Sequence, residues 1–510
     1  MAILSIAEKN TCLRKFYLSH INQKLEVRLI GIRSASNLDS ILAGGQDRSS
    51  KVRREVAKRL KEWVNYPLAS DLLLTMLNDQ DYLVRWFSAL SLSCGDVARI
   101  RPTIEKLLSS TDLESWLLAS VIKRSVVIPA VKPLLIKGLD GPEGIKNLAL
   151  VMLARAGEMG LVGKYINDPS PAIRETVQAL FAPSPRKADR ITFSSHPEIN
   201  QAVLLAEAIG DGMGAPVEFS SLQEIKQIGY VNGFLQDPFR PLAPGDYTDD
   251  TDMAVMVAQS IIRAGKVDPF DAAGVFAAFG LKLDLGLVRN VGYSNSTLTS
   301  YRRLYAGLNW RLAANDSNGC GPATAVVPLG LAIEDLDQLR RDVAKVTLIT
   351  KSGKDALAGA LAVAYLIHQG RHKALASSPA KILEDTASFV KNESEAMAAE
   401  ILGLASLLTL SAEEGLNRIP HHADGKKVKV GMKSIGVVPS AIYSFVKSPE
   451  DFRQTIISAV NTEGDSDSIA ALAGAISAAY NGPSGIPAEW TNGLVEHQFL
   501  ADLGHKLPSL

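Results

Sequence analysis

Three short segments concentrate carboxylate and hydroxyl oxygens, the groups that hold hard divalent cations and move protons. They are Gly210-Asp-Gly-Met-Gly-Ala-Pro-Val-Glu218-Phe, Tyr247-Thr248-Asp249-Asp250-Thr251-Asp252 and Asn461-Thr-Glu-Gly-Asp465-Ser-Asp467-Ser468. The second leads into the apolar helical run Met253, Val255, Met256, Val257, and the third into Ile469, Leu472, Ile476. Two such helix starts placed face to face form a cage of oxygen ligands suited to Mg²⁺ or Mn²⁺, whereas Zn²⁺ prefers His and Cys. Several carboxylates at one site repel each other unless cations lie between them. Any one of these segments alone reads better as a helix cap than as a ligand set, because Ser, Thr and Asp are favoured N-caps and acids suit the helix dipole. Their recurrence, with the glycine-rich 210–218 segment, favours a ligand set.

The elements that must position these groups are helical. Gly and Ala recur inside helical patterns, as in Ala470-Ala-Leu-Ala-Gly-Ala, and small residues let helices pack closely. No run alternates as a strand would, so residues 198–510 are expected to form one all-α domain. Ala182-Pro-Ser-Pro-Arg-Lys-Ala-Asp and Ser194-Ser-His-Pro are rich in turn formers and place a linker over 183–197. Upstream, an Asp precedes an apolar residue by five positions at Asp47/Val52, Asp79/Val84, Asp112/Leu117, Asp140/Ile145 and Asp168/Ile173. A basic residue follows in four of these: Arg53, Arg85, Lys146 and Arg174. Each landmark opens a segment of helical periodicity, such as Ile173, Val177, Leu180, Phe181, and Trp86, Phe87 and Trp116 fall on its core side. Units of this size cannot bury an apolar face alone but can when stacked. The pattern resembles HEAT-like α-solenoid repeats and assigns residues 1–182 to such a domain, the alternative being an irregular helical bundle. Solenoids present extended protein-binding surfaces.

Composition narrows the function classes. The 510 residues carry 54 basic and 54 acidic side chains, which argues against nucleic-acid binding through bulk charge and against a polybasic membrane anchor. Cys12, Cys94 and Cys320 are too few and too dispersed for a disulfide framework or a close-spaced zinc site, and suit a reducing compartment. The N-terminus has no readable secretory signal, and the apolar run Ala356–Ile367 is too short to span a bilayer, so a soluble cytoplasmic protein is expected. Cys320, between glycines, suggests a thiol nucleophile only if a His such as His421 or His422 lies beside it. An isolated Cys is more often inert packing, and the two His sit in a Gly- and Lys-rich stretch read as a solvated loop.

The three acidic segments, in this order and together with Ile486-Pro-x-x-Trp490, resemble the ADP-ribosylglycohydrolase family, which includes the dinitrogenase-reductase-activating glycohydrolases. The resemblance covers about residues 198–495. It implies an all-helical domain with two divalent cations in its cleft, Mg²⁺ first and Mn²⁺ second. By resemblance, Thr248, Asp249 and Asp250 hold one cation, Asp467 bridges, and Asp465, Ser468 and Glu218 serve the other. The loop with Gly319, Cys320 and Gly321 matches a glycine loop that contacts ADP-ribose and can offer backbone N–H groups to phosphate. Family members often carry Thr at Ser468, Arg at Ala325, a Thr-His pair at Thr350-Lys351, and Gly at Glu463. These departures bear on substrate choice more than on metal binding.

The implied reaction is glycosidic cleavage at the ribose carbon joined to a protein side chain, through an oxocarbenium-like transition state. Glu218 is the first candidate general base and Asp250 the second, with Glu218 equally open to a ligand or gating role. Asp284, in Leu283-Asp-Leu-Gly286, reads better as a solvated loop acid than as a catalytic group. The expected function is metal-dependent removal of ADP-ribose from a modified protein, with arginine linkage favoured by Ser468 and the repeats contacting the protein substrate. Two other readings stay open: a binding protein that grips a partner such as an ADP-ribosyltransferase toxin, and a hydrolase of a free ADP-ribosyl metabolite.

Overall fold

The structure is a computed structural model, and it describes residues 25–122, 129–182, 194, 196–238, 240–419 and 431–510. Cys12, the His421-His422 pair and nearly all of the expected linker lie outside the described residues. Among those described there is no strand, only two isolated bridges, Asn315 with Lys351 and Gly319 with Lys433. No helix is long and apolar enough to cross a membrane. The chain divides into two compact units, one of the residues up to Phe181 with Ala306–Leu308, the other of Ala182–Tyr305 with Asn309–Leu510.

In the first unit the sequence landmarks have a physical basis. Its helices include α1 (Ser50–Arg59), α2 (Tyr82–Leu92), α3 (Leu113–Ile122), α4 (Glu143–Arg155) and α5 (Pro171–Phe181). Val52, Val84, Leu117, Ile145 and Ile173 are all buried, as are Trp86, Phe87 and Trp116. The basic residue reaches back to the carbonyl of the landmark Asp: Arg53 to Asp47 at 2.7 Å, Arg85 to Asp79 at 2.5 Å and Arg174 to Asp168 at 2.7 Å. The Asp carboxylate accepts the backbone N–H two residues on, at Ser49, Asp81 and Ser170. It also takes a cation from the preceding stretch of chain: Arg28 to Asp47 at 2.9 Å, Arg53 to Asp79 at 2.7 Å and Lys146 to Asp168 at 2.6 Å. At three of the five landmarks, Asp47, Asp79 and Asp168, the spacing is therefore a turn closed by the acid and tied by the base that follows it.

In the second unit three helices carry the acidic segments: α6 (Pro197–Gly214), α7 (Asp249–Ala264) and α8 (Ser466–Asn481). Helices α6 and α8 pack main chain against main chain. A Cβ at Gly210 would lie 2.1 Å from the carbonyl oxygen of Ala470, and one at Gly214 would lie 2.5 Å from the Asp467 Cα. Main chain touches main chain there, which only glycine permits. The apolar run Ala356–Ile367 lies in the helix Lys354–Arg371, packed within the core of this unit.

One sequence expectation fails here. Asp284 is not a solvated loop acid. It closes the helix Pro269–Asp284, is buried, and holds Arg302 through two contacts of 2.6 and 3.0 Å. Buried carboxylates need such a partner, and this one lies outside the acidic cleft.

Candidate active site

The acidic segments meet in a cleft of about 380 Å³ in the second unit. Glu218, Asp249, Asp250, Asp465, Asp467 and Ser468 line it, with Gly319, Cys320 and Gly321 on the same wall. Thr248 lies fully buried just behind that lining.

The capping alternative can be weighed directly. Thr248 and Asp465 occupy the N-cap positions of α7 and α8, yet neither side chain makes a capping bond. The α7 cap comes instead from Asp211 on α6. Its two oxygens accept the Thr248 N–H at 3.0 Å, the Thr248 hydroxyl at 2.7 Å, the Thr251 N–H at 3.0 Å and the Thr251 hydroxyl at 2.6 Å. A carboxylate at a helix N-terminus is well placed electrostatically. Because α6 supplies it, Asp249 and Asp250 are left to face the cleft.

Hydroxyls orient the remaining acids. Asp250 accepts Thr324 Oγ1 at 3.0 Å on one oxygen and Ser468 Oγ at 2.7 Å on the other. Asp465 accepts the Cys320 thiol at 3.3 Å. Oxygens of Glu218, Asp465 and Asp467 lie within 4.8 Å of one another, close enough to share one cation. Glu218 follows the short 3₁₀ turn Ala215–Val217 and is held by Arg240 Nη1 at 2.7 Å. The next residue, Phe219, takes a left-handed φ of 58° while its N–H donates to the Gly464 carbonyl. A non-glycine residue in that region marks a turn held by its surroundings.

The electrostatics are those of an acidic cluster short of positive charge. Burial, then neighbouring acids, push Asp249, Asp250 and Asp467 well above the carboxylate range. Burial and Asp465 push Glu218 up to about 7, with Arg240 pulling the other way. Glu207, one turn before Asp211 on α6, is fully buried with neither carboxyl oxygen bonded, and burial followed by Asp250 raises it strongly. The same forces keep Cys320 a thiol, so a thiolate nucleophile has no support.

The glycine loop lies on the cleft, but its N–H groups are partly engaged. Gly319 N–H donates to Ser317 Oγ at 3.3 Å and Cys320 N–H to the Met432 carbonyl at 2.9 Å. Lys351 also lines the cleft. Its ammonium donates to Ser296 Oγ at 2.5 Å and Thr297 Oγ1 at 3.2 Å, and burial lowers it to about 8.

Sequence reasoning missed the positioning role of Asp211, though it stands in the glycine-rich segment already singled out. It also missed Thr324 and Arg240. Nothing in the Asp237-Pro-Phe-Arg240-Pro stretch signals a contact with Glu218, 22 residues away.

These features have a known setting. The sequence model of the ADP-ribosylglycohydrolase family matches residues 199–510, and the chain belongs to that family. A protein of Archaeoglobus fulgidus is 32% identical over 309 residues, covering 60% of this chain and 95% of that one. Human ADP-ribosylhydrolase ARH3 is 26% identical, over 60% of this chain and 92% of its own length. The ADP-ribosylarginine hydrolase Tri1 of Serratia proteamaculans is 24% identical, over 60% of this chain and 78% of its own. A solved structure described as an ADP-ribosylglycohydrolase-related protein complex shares the fold, with a TM-score of 0.50 and 22% identity, over 61% of this chain and 97% of that one. The family is one of hydrolases acting on ADP-ribosylated substrates, and its all-helical fold agrees with the second unit.

Proposed function

We propose that the protein is a metal-dependent hydrolase that releases ADP-ribose from a modified protein side chain, arginine above all. The observation that carries this reading is the convergence of three separated acidic segments on one cleft, with the side chains at the N-cap positions, Thr248 and Asp465, making no capping bond. The arginine linkage is supported by the likeness to Tri1, whose name gives that activity, and by Ser468.

The donor set fits two hard cations. Every charged donor is a carboxylate oxygen, the neighbouring hydroxyls add more oxygen, and the sulfurs present are the neutral thiol of Cys320 and the thioethers of Met253 and Met432, so Mg²⁺ or Mn²⁺ suits the cleft better than Zn²⁺. Thr248, Asp249, Asp250 and Asp467 would hold one cation, and Asp465, Asp467, Ser468 and Glu218 the other. When bound, such cations orient ribose hydroxyls and lower the pKa of a water. The chain's own residues do the rest. Glu218 is the better general base, because Arg240 bonds one of its oxygens whereas both oxygens of Asp250 already accept hydroxyls. Gly319, Cys320 and Gly321 would contact the ADP-ribose by close backbone approach.

The first test is release of ADP-ribose from an ADP-ribosyl-arginine protein with Mg²⁺ or Mn²⁺ and then with EDTA, with serine-linked substrate alongside. Metal-dependent release from the arginine substrate is expected, and release from neither substrate would count against the reading. The helical first unit is proposed to contact the protein substrate. The match to the Archaeoglobus relative takes in 95% of that protein and 60% of this chain, which supports a hydrolase part that works without the rest. Removing residues 1–190 should then spare hydrolysis of small ADP-ribosyl-arginine and weaken action on the protein. Equal activity on both would remove that role.

The cluster also predicts how stability responds to pH. Glu218 ionises near 4.5 when unfolded and near 7 when folded, and Asp252 moves likewise from 3.8 to about 7 through burial. The folded, metal-free protein therefore binds more protons than the unfolded chain between those values. Its stabilisation is complete below the unfolded values and is lost as pH rises through 7. Melting in EDTA should fall from pH 5 to pH 8, and Mg²⁺ should restore it at pH 8. A melting temperature that climbs over that range in EDTA would contradict the assignment.

A further inference from the structure

Among the described residues, Arg240 alone brings a cationic group within 4.0 Å of the cleft's carboxylates. Its Nη1 donates to Glu218 Oε2 at 2.7 Å and lies 4.0 Å from Asp467 Oδ2. These are two of the three acids whose oxygens converge closely enough to share a cation. The guanidinium is anchored from outside that trio. Its Nε donates to Asp237 Oδ2 at 2.7 Å, Nη2 donates to the Ala215 carbonyl, and the Arg240 N–H donates to Asp237 Oδ1 at 2.7 Å. Asp237 is itself buried. A fixed guanidinium therefore flanks one side of the cluster, whereas the other cationic side chains lining the cleft, Lys351 and Lys433, pair with none of its carboxylates among the described residues, and the Lys351 ammonium donates to Ser296 and Thr297 instead.

Resting on the two-cation reading above, we infer that Arg240 makes the two cation positions unequal. The position on Glu218, Asp465 and Asp467 takes its ion second and releases it first. Two physical effects act in the same direction. Arg240 occupies a lone pair of Glu218 that an incoming ion would use. Its permanent positive charge also repels a divalent ion a few ångströms away in a site of low dielectric. A role limited to orienting Glu218 predicts the opposite sign, because an unanchored Glu218 would be a poorer ligand.

The experiment is a Mn²⁺ titration of the full-length protein, followed by the electron paramagnetic resonance signal of free Mn²⁺ and by calorimetry. The wild type should show two unequal steps. Arg240→Gln should tighten the weaker step by about tenfold or more and leave the tighter one nearly unchanged. Arg240→Lys, which keeps the charge but not the fork, should stay near the wild type. Asp237→Asn takes away the charge that balances Arg240 and should weaken the same step, and it serves as the test if Arg240→Gln does not fold. A weaker step unchanged or loosened in Arg240→Gln, or unchanged or tightened in Asp237→Asn, would overturn the inference. A stoichiometry of one Mn²⁺ per wild-type chain would instead overturn the two-cation reading, and the direction of the Arg240→Gln shift would still decide the role of Arg240.

Discussion

Replacing Asp249 and Asp250 together by alanine is expected to reduce ADP-ribose release by about 10³-fold or more, with the helical fold intact. Both residues face the cleft from the first turn of α7, and neither caps the helix. Asp211 supplies the cap from α6, so the start of α7 survives the change. The physics of buried acids adds a second signature. Both carboxyls lie well above the ordinary carboxylate range because burial and neighbouring acids oppose their ionisation. Removing them should raise the melting temperature of the metal-free protein near pH 8, while Mg²⁺ should stabilise the variant less than the wild type. Circular dichroism melts in EDTA and in Mg²⁺, run beside the release assay, check both signatures. Retained release would show that the acidic cleft is not the catalytic centre. Lost release with protection against an ADP-ribosyltransferase preserved would favour the binding-protein reading.

Gly210→Ala is expected to be a severely damaging single-methyl change, costing about 3 kcal/mol or more. The added carbon would sit 2.1 Å from the Ala470 carbonyl oxygen, and its other near neighbours are also backbone atoms of α8. No rotamer change relieves such a clash, so α6 and α8 must separate. Asp211 follows Gly210 directly, and Asp467 lies across from Gly214. Separation should therefore loosen cation binding as well as the fold. Chemical denaturation and Mn²⁺ titration of the variant measure the two effects. An unchanged denaturation midpoint would mean that the two helices do not meet through their main chains.

The residues that were legible in the sequence carry their partners close by or repeat. The Asp, apolar and basic landmarks of the first unit could be read because each Arg bonds a carbonyl only six positions back. The three acidic segments could be read because hard-ligand chemistry requires several oxygens in few residues. The capping arrangement could not, since Asp211 lies 37 residues before the Thr248 it caps and no local pattern joins them. Arg240 and Thr324 were hidden for the same reason, each meeting its acid only in the fold. Asp284 was misjudged because a helix end followed by glycine looks like an exposed turn until its Arg302 partner is placed. Glu207 sits at an ordinary core position of a helical pattern, and nothing in its flanking residues announces a fully buried carboxyl with no hydrogen-bond partner.

The backbone contact between α6 and α8 has a bearing on how such a cleft can change over time. Where side chains separate two helices, drift in those side chains slowly shifts whatever the helices carry. At Gly210 and Gly214 there is no side chain to drift, so the separation of Asp211 and Asp467 is a property of the peptide chain itself. The surrounding apolar residues are then free to exchange with one another, while the distance between the two acids stays within narrow bounds. Substrate preference can diversify around the rim of the cleft without disturbing the coordinates of its floor.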